Sequence, residues 1–336
     1  ERTRASVLAA AKDEFSEHGY VLAKIDRIAE RAELTRGAVY SNFPSKRALY
    51  LAVLIDLAEN AGGVEPQGGP ASLGEALGSF ARVWLERLPL VGDTVPGGRL
   101  QLRSLDGVFD DGHAREVLAQ TARLEALLLG LALESCAPAR QVRLASLVLT
   151  LLDGASHQAE VAPGSGDPFD VALACEHLAG VDLADTWAPP HLPFVEPGRE
   201  VAEFWVPPEG RAELAADCVI AVLGANRLAA AEEAVRSLRP GERATVVVVA
   251  SNPAETGRLV RLRVSDLMAC LRRVFTADVV PSLDVLFDED AVVAALGIAE
   301  AGDYTEAAVR VESGAIVARA EGRGAAHAVA GRRADR

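Results

Sequence analysis

Between residues 34 and 46 the chain reads LTRGAVYSNFPSK, a stretch dense in groups that donate hydrogen bonds or carry positive charge. Arg36, Lys46 and the adjoining Arg47 are basic and no acid interrupts them, although the whole chain has a formal net charge of −14. Thr35, Tyr40, Ser41 and Asn42 add hydroxyl and amide groups. Such a set suits a polyanion with readable edges: cationic groups neutralise phosphates, while arginine and short polar side chains discriminate bases. The uneven charge favours the same partner. Residues 1–50 hold nine Lys+Arg against seven Asp+Glu, leaving 25 against 41 elsewhere, and all three lysines (Lys12, Lys24 and Lys46) lie in that first segment. A locally basic segment on an otherwise acidic chain directs nucleic acid to one place.

Other chemistry lacks its residues. No G-x-x-x-x-G-K-[ST] phosphate loop or G-x-S-x-G elbow occurs, and GANRLA and LGIAEAG are too poor in glycine for a dinucleotide loop. His18, His113, His157, His177, His191 and His327 have no triad or metal partners at diagnostic spacing. Cys136, Cys175, Cys218 and Cys270 are scattered without a C-x-x-C, so neither a zinc site nor a disulfide framework is expected and a reducing cytoplasm suits them. No cofactor is expected. Membrane helices need about 18–20 uncharged apolar residues in a row, and the longest candidates, CVIAVLGA and LASLVLTLL, fall well short.

The elements that must hold the basic stretch are legible. Val7, Leu8, Ala11 and Phe15 repeat at helical spacing, and Gly19 marks the end of a first helix of about 15 residues. Ile25, Ile28, Ala29 and Ala32 form the apolar stripe of a second. Thr35 is a good N-cap for a third helix that Pro44 ends, and Ser45 can cap a fourth, KRALYLAVLIDLAE. Two short helices joined by a tight turn make a helix-turn-helix, whose second helix enters the DNA major groove.

The run IDRIAERAELTRGAVYSNFPSKRALYLAVL resembles the DNA-binding region of tetracycline-repressor (TetR) family regulators, over about 50 residues. The resemblance implies that Gly37 lets the third helix approach the sugar-phosphate backbone, and that Tyr40 and Lys46 hold phosphates. It also implies that Thr35, Arg36, Ser41 and Asn42 face base edges while Val39 and Phe43 turn into the core. One departure is LAKI at 22–25: the family often opens its second helix with Thr-Thr, and Lys24 is expected to replace that phosphate contact. Residues 51–190 read as helices separated by Gly/Pro breaks, similar in order to the family's all-helical effector domain. That likeness implies a small-molecule effector, for which Trp84, Gln101, Arg103, His157 and Gln158 are the candidate contacts. It also implies a homodimer built from segments 140–160 and 168–180.

After residue 190 a Pro-rich linker precedes strand-like runs (EVAEFWV, DCVIAVLG, ATVVVVA, SLDVLFD) alternating with helices, and AAVRVESGAIVARAEG closes as a hairpin. This indicates a mixed α/β domain whose order is similar to the thioredoxin-like fold of peroxiredoxins. The nucleophilic cysteine of that family would stand at ANRLAAAEE, where none occurs, so the domain is expected to be non-catalytic.

The expected fold is therefore multidomain, an all-α TetR-like half followed by an α/β thioredoxin-like domain. Its boundaries are a helix-turn-helix domain at 1–50, a helical effector and dimerisation domain at 51–190, the α/β domain at 191–322 and a flexible tail at 323–336. The expected function is a cytoplasmic, non-enzymatic, ligand-responsive regulator, by default a repressor, binding a near-palindromic duplex operator as a homodimer. The alternative is a thiol redox enzyme or sensor fused to a DNA-binding domain, with Cys218 and Cys270 as its candidate thiols. Arg36→Ala is expected to narrow the gap between operator and random DNA. Lys46→Ala should weaken both and flatten the log–log salt dependence by about one unit. Salt-titrated binding isotherms check both, and unchanged binding in the two variants would displace the recognition helix from this stretch.

Overall fold

The computed structural model describes residues 2–60, 68–87, 105, 107–109, 111–162, 164–276, 279–287 and 289–330. Its contacts divide the chain into two compact units, one of residues 1–115, 132–183 and 258–279, the other of 116–131, 184–257 and 280–336.

The first unit is helical. It opens with α1 (Arg2–Leu22), α2 (Ile25–Arg31), α3 (Arg36–Asn42) and α4 (Lys46–Glu59). Helical geometry breaks at Gly19 (φ 66°, ψ 174°), the expected stop, and a last turn continues to Leu22. Val7, Phe15, Ile28, Val39, Phe43 and Leu49 fill one core, as the spacing anticipated. Next come α5 (Leu73–Leu85), α6 (Gly112–Leu133, most of it clustering with the second unit), α7 (Val142–Val161) and α8 (Pro168–His177). Ser72 caps α5 by accepting from the Glu75 amide, and Asp167 caps α8 by accepting from Phe169, with Pro168 at the first helical position. α8 packs along α5.

Helix α4 sets a packing problem. Every residue from Ala48 to Ile55 is buried, so no face of its middle meets water. A helix apolar all round must be covered all round. α1 covers one side, and another is covered by a helix from far along the chain, α10 (Arg258–Arg272). The sequence reading assigned RLVRLRVSDLMACLRR to the α/β domain, yet its contacts cluster with the helical unit, and Leu262 joins the core of α1–α4. The physical reason is α4 itself, whose uninterrupted ALYLAVLI run leaves apolar surface that α1 cannot reach.

The second unit is built on a six-stranded mixed sheet in the order β1-β6-β5-β2-β3-β4, formed by β1 (Arg199–Phe204), β2 (Cys218–Gly224), β3 (Arg243–Val249), β4 (Leu283–Phe287), β5 (Glu306–Glu312) and β6 (Ala315–Glu321). β2, β3 and β4 run parallel, and the other pairings are antiparallel. Continuous apolar runs such as CVIAVLG suit strands buried on both faces. One face packs Ile220, Val222, Val247, Val309 and Val311 against Val292 and Val293 of α11 (Asp290–Ala295) and against Trp205 and Leu214. The other is covered by α9 (Ala231–Arg236) and α12 (Ala325–Ala330). α12 corrects the expectation of a flexible tail from 323, because Ala325, Ala326 and Val329 form a small apolar stripe that is buried. Ser313 and Gly314, both at positive φ (50° and 76°), turn the expected β5–β6 hairpin in the way right-twisted strands favour.

Gly224, the last residue of β2, marks a close approach. A Cβ there would lie 2.3 Å from the Asp303 carbonyl oxygen and 2.4 Å from that of Gly302. Gly224→Ala is therefore expected to lower stability by about 1–3 kcal/mol through overpacking, read from urea denaturation of the full chain. Unchanged stability would mean that the 302–303 backbone moves aside freely.

Candidate nucleic-acid interface

The helix-turn-helix is assembled around a buried acid. Glu14 sits in the apolar stripe of α1 with no solvent exposure, and its Oε1 accepts a 3.1 Å hydrogen bond from the Lys24 amide that opens α2. Arg27 and Arg31 of α2 place guanidinium nitrogens 3.5 and 3.4 Å from the same carboxylate. Arg31 also donates to both oxygens of Glu17, at 2.8 and 2.5 Å, and that bond holds the Glu17 carboxyl below its usual range. One helix thus fixes the start and the last turn of the next. After α2 the chain reverses at Glu33, a non-glycine residue at φ 55°, where the Leu34 amide bonds back to the Ala29 carbonyl. This left-handed closing turn, usually given to glycine, fixes the angle at which α3 leaves.

On α3 the inward and outward sides separate cleanly. Val39 and the capping residue Phe43 are buried, whereas Thr35, Arg36, Gly37, Tyr40 and Ser41 are exposed and Asn42 is half-buried. Thr35 Oγ1 accepts from the Ala38 amide at 3.2 Å, the expected N-cap, and Ser45 Oγ caps α4 by accepting from Ala48 at 2.9 Å. Ser41 Oγ and Asn42 Nδ2 both donate to the Ala38 carbonyl, at 2.9 and 2.8 Å. Arg36 lies across the Tyr40 ring, 5.6 Å from its centroid, and donates to Asp26 of α2 at 3.3 Å. A hydrogen bond with Tyr40 and the nearby Asp26 raise its pKa further. At Gly37 a Cβ would meet only Thr35 Oγ1, at 3.9 Å, so this surface stands open to a close approach.

The two lysines expected to hold phosphates differ. Lys24 is exposed at the start of α2. Lys46 instead donates its ammonium to the Val21 carbonyl at 3.1 Å and rests on the Tyr20 ring, 4.8 Å from its centroid. It closes the frayed end of α1, and partial burial lowers its pKa.

Residues 7–53 match the family model of bacterial regulatory proteins, tetR family. The head belongs to the tetR family. Over 51 residues the chain is 45% identical to the HTH-type transcriptional activator FasR of Mycolicibacterium smegmatis, a match covering 15% of this chain and 23% of FasR. The chain thus spans about a quarter of that curated relative. Among solved structures, NalD, the secondary repressor of the MexAB-OprM multidrug efflux pump in Pseudomonas aeruginosa, overlaps 56% of this chain and 98% of its own at 20% identity and TM-score 0.34. A TetR transcriptional regulator from Rhodococcus sp. RHA1 overlaps 53% and 93% at 17% identity and TM-score 0.32.

Outside the TetR head, three of the side chains expected to meet an effector lie among the described residues. Trp84 is buried, donates through Nε1 to Ser156 Oγ at 3.2 Å and carries the Arg87 guanidinium 4.0 Å from its ring centroid, so it is a satisfied core residue. His157 and Gln158 are exposed on α7, and Gln101 and Arg103 lie outside the described residues. In the α/β unit a cavity of about 560 Å³ is lined in part by His191, Glu196, Arg199, Arg319, Glu321 and Arg323. Two of the thiols are unsuited to nucleophilic work: Cys218 is buried at the start of β2 and burial pushes it up to about 12, and Cys175 likewise to about 11.

Sequence reasoning missed Glu14. Its signal was present, an acid at position 14 of a stripe otherwise made of Val7, Ala11 and Phe15. Removing it strips Lys24, the residue that caps α2, of the acceptor for its amide and strips α2 of a counter-charge. Glu14→Ala is expected to destabilise the TetR head by about 1.5–3 kcal/mol, the range for hydrogen bonds to charged groups. Faster hydrogen exchange confined to α2 and α3 amides checks this, and unchanged exchange would remove Glu14 from the assembly of the head.

Proposed function

We propose that the chain is a transcriptional regulator that grips a near-palindromic duplex operator as a homodimer, represses there, and releases it on binding a small molecule. The observation that carries this reading is the division of α3, with Arg36, Gly37, Tyr40 and Ser41 facing out while Val39 and Phe43 are committed to the core. In this reading Lys24, Tyr40 and Lys46 position the duplex through phosphates, Lys46 giving up its bond to Val21, and Gly37 admits the backbone. Thr35, Arg36, Ser41 and Asn42 read base edges, Arg36 as the partner of guanine. Two heads about one duplex turn apart would read two half-sites.

Dimerisation is supported by apolar side chains left exposed on the two helices expected to pair, Leu147 on α7 and Phe169 and Leu173 on α8. A small-molecule effector is supported by the cavity of the α/β unit, whose lining sets Arg199, Arg319 and Arg323 beside Glu196 and Glu321. Such a molecule acts only through different affinities for the DNA-bound and free states. The α/β unit is proposed as a thioredoxin-like module without catalysis, its parallel β2–β3–β4 segment closed by an antiparallel hairpin and a terminal helix. Ala225 and Asn226 stand at the end of β2, where a reactive cysteine would be needed.

FasR is named an activator, so the sign of regulation is read directly. Deleting the gene is expected to raise transcription from promoters that the chain occupies, and a fall in transcription would reverse the assignment. On selected duplexes, binding by the purified chain should weaken linearly with salt on logarithmic axes. No salt-sensitive binding to any duplex would end this reading, and peroxidase activity with a titratable Cys218 or Cys270 would replace the non-catalytic module with the redox alternative.

A further inference from the structure

The helix that covers α4 comes from the distant segment 258–272, and its first residue reaches the recognition helix. Arg258 Nη1 donates to the Ala48 carbonyl in the first turn of α4 at 2.8 Å, and its guanidinium lies 5.6 Å from the centroid of the Phe43 ring, the residue that caps α3. Along α10, Arg261 Nε and Nη2 form a two-pronged ion pair with Glu59 at the end of α4 (2.8 and 3.1 Å), and Ser265 Oγ donates to the same carboxylate at 3.2 Å. Asp266 pairs with Arg87, Arg263 lies 3.6 Å from Asp153, and Arg273, just past the helix, pairs with Glu86 at 2.6 Å. Between these polar ties Leu259, Val260, Leu262 and Leu267 are buried. The helix is thus fastened at both ends of α4 and packed between them.

We propose that α10 is a clamp on the TetR head and that Arg258 is a positioning residue for the recognition helix, acting through Phe43 and the Ala48 carbonyl rather than by touching DNA. A two-point contact at the α3–α4 corner sets the angle at which α3 projects, and groove reading depends on that angle. The planar guanidinium suits the task because one edge donates while its face lies over an aromatic ring. In the chain α10 is bracketed by the adjacent parallel strands β3 and β4. The recognition helix is therefore braced by residues that a TetR head does not itself contain. This inference rests on the DNA-binding reading for its consequence, although not for the clamp itself.

The experiment uses the full chain and a duplex recovered from a random-sequence library by the unmodified protein. Arg258→Ala is expected to lower affinity for that duplex about tenfold, to leave affinity for random DNA within twofold and to leave the salt slope unchanged, since no phosphate contact is lost. Arg258→Lys, which keeps a donor for Ala48, should recover part of the loss. Arg261→Glu and Glu59→Arg should each weaken selected-duplex binding, and the double exchange should restore it. In the absence of DNA, Arg258→Ala should speed hydrogen exchange at residues 39–43 and 46–55. Unchanged exchange there, or a salt slope reduced by about one unit as for a direct phosphate contact, would overturn the proposal, as would failure of the double exchange to restore binding. If the unmodified chain selected no duplex, the DNA-binding reading would fail while the exchange measurement still decided the clamp.

Discussion

A helix with no polar face dictates most of the first unit. From Ala48 to Ile55 α4 presents apolar side chains in every direction, and each fully buried aliphatic residue is worth about 1.5–3 kcal/mol, so leaving any side bare would be costly. The three helices in front, one long and two short, do not wrap it alone. Further cover comes from α10, and its recruitment explains why a segment lying between two strands of a sheet clusters with a helical bundle. The same burial makes α4 a rigid axle. Its first turn carries Lys46 and Ala48, and its last carries Glu59, so polar ties at either end act on one stiff body.

In front of that axle the TetR head uses electrostatics for orientation. Glu14 is an acid placed where an apolar residue would have sufficed for packing, and it engages the amide of the N-cap Lys24 and two arginines of α2. A buried charge of this kind is a poor source of stability and a good source of geometry, because misaligned partners would leave it unpaired. Behind it, the strained turn at Glu33 and the Thr35 cap fix where α3 begins. The exposed polar face is thus held by contacts that never leave the protein.

Much of this was legible in the sequence, and for identifiable reasons. Thr35, Ser45 and Pro44 are local signals, and local signals bounded α3 and α4. The alternation of apolar strands and helices foretold a mixed sheet, and AAVRVESGAIVARAEG foretold its closing hairpin. What could not be read was nonlocal. RLVRLRVSDLMACLRR is an amphipathic helix that would suit a sheet face as well as a bundle, and its periodicity does not name the surface it covers. The overlooked clue lay in α4, whose apolar run was too complete for one neighbour. Trp84 was similarly ambiguous, because an indole on an apolar helix could meet a ligand, and only the Ser156 hydroxyl reveals that its N–H is already satisfied. The basic passage at 34–46 was read as a single cationic set, yet Lys46 turns back onto Val21, a carbonyl that no sequence pattern brings to it.

The separation between Ala48 and Arg258, 210 positions, also has a temporal side. Ribosomes extend chains at about 5–20 residues per second, so roughly 10–40 s pass between emergence of the head and arrival of its last covering helix. Throughout that interval the nascent chain carries one flank of α4 uncovered, an oily ridge that invites chaperones or premature association. Maturation of the amino-terminal portion is thereby tied to synthesis of a segment 210 positions further along the chain.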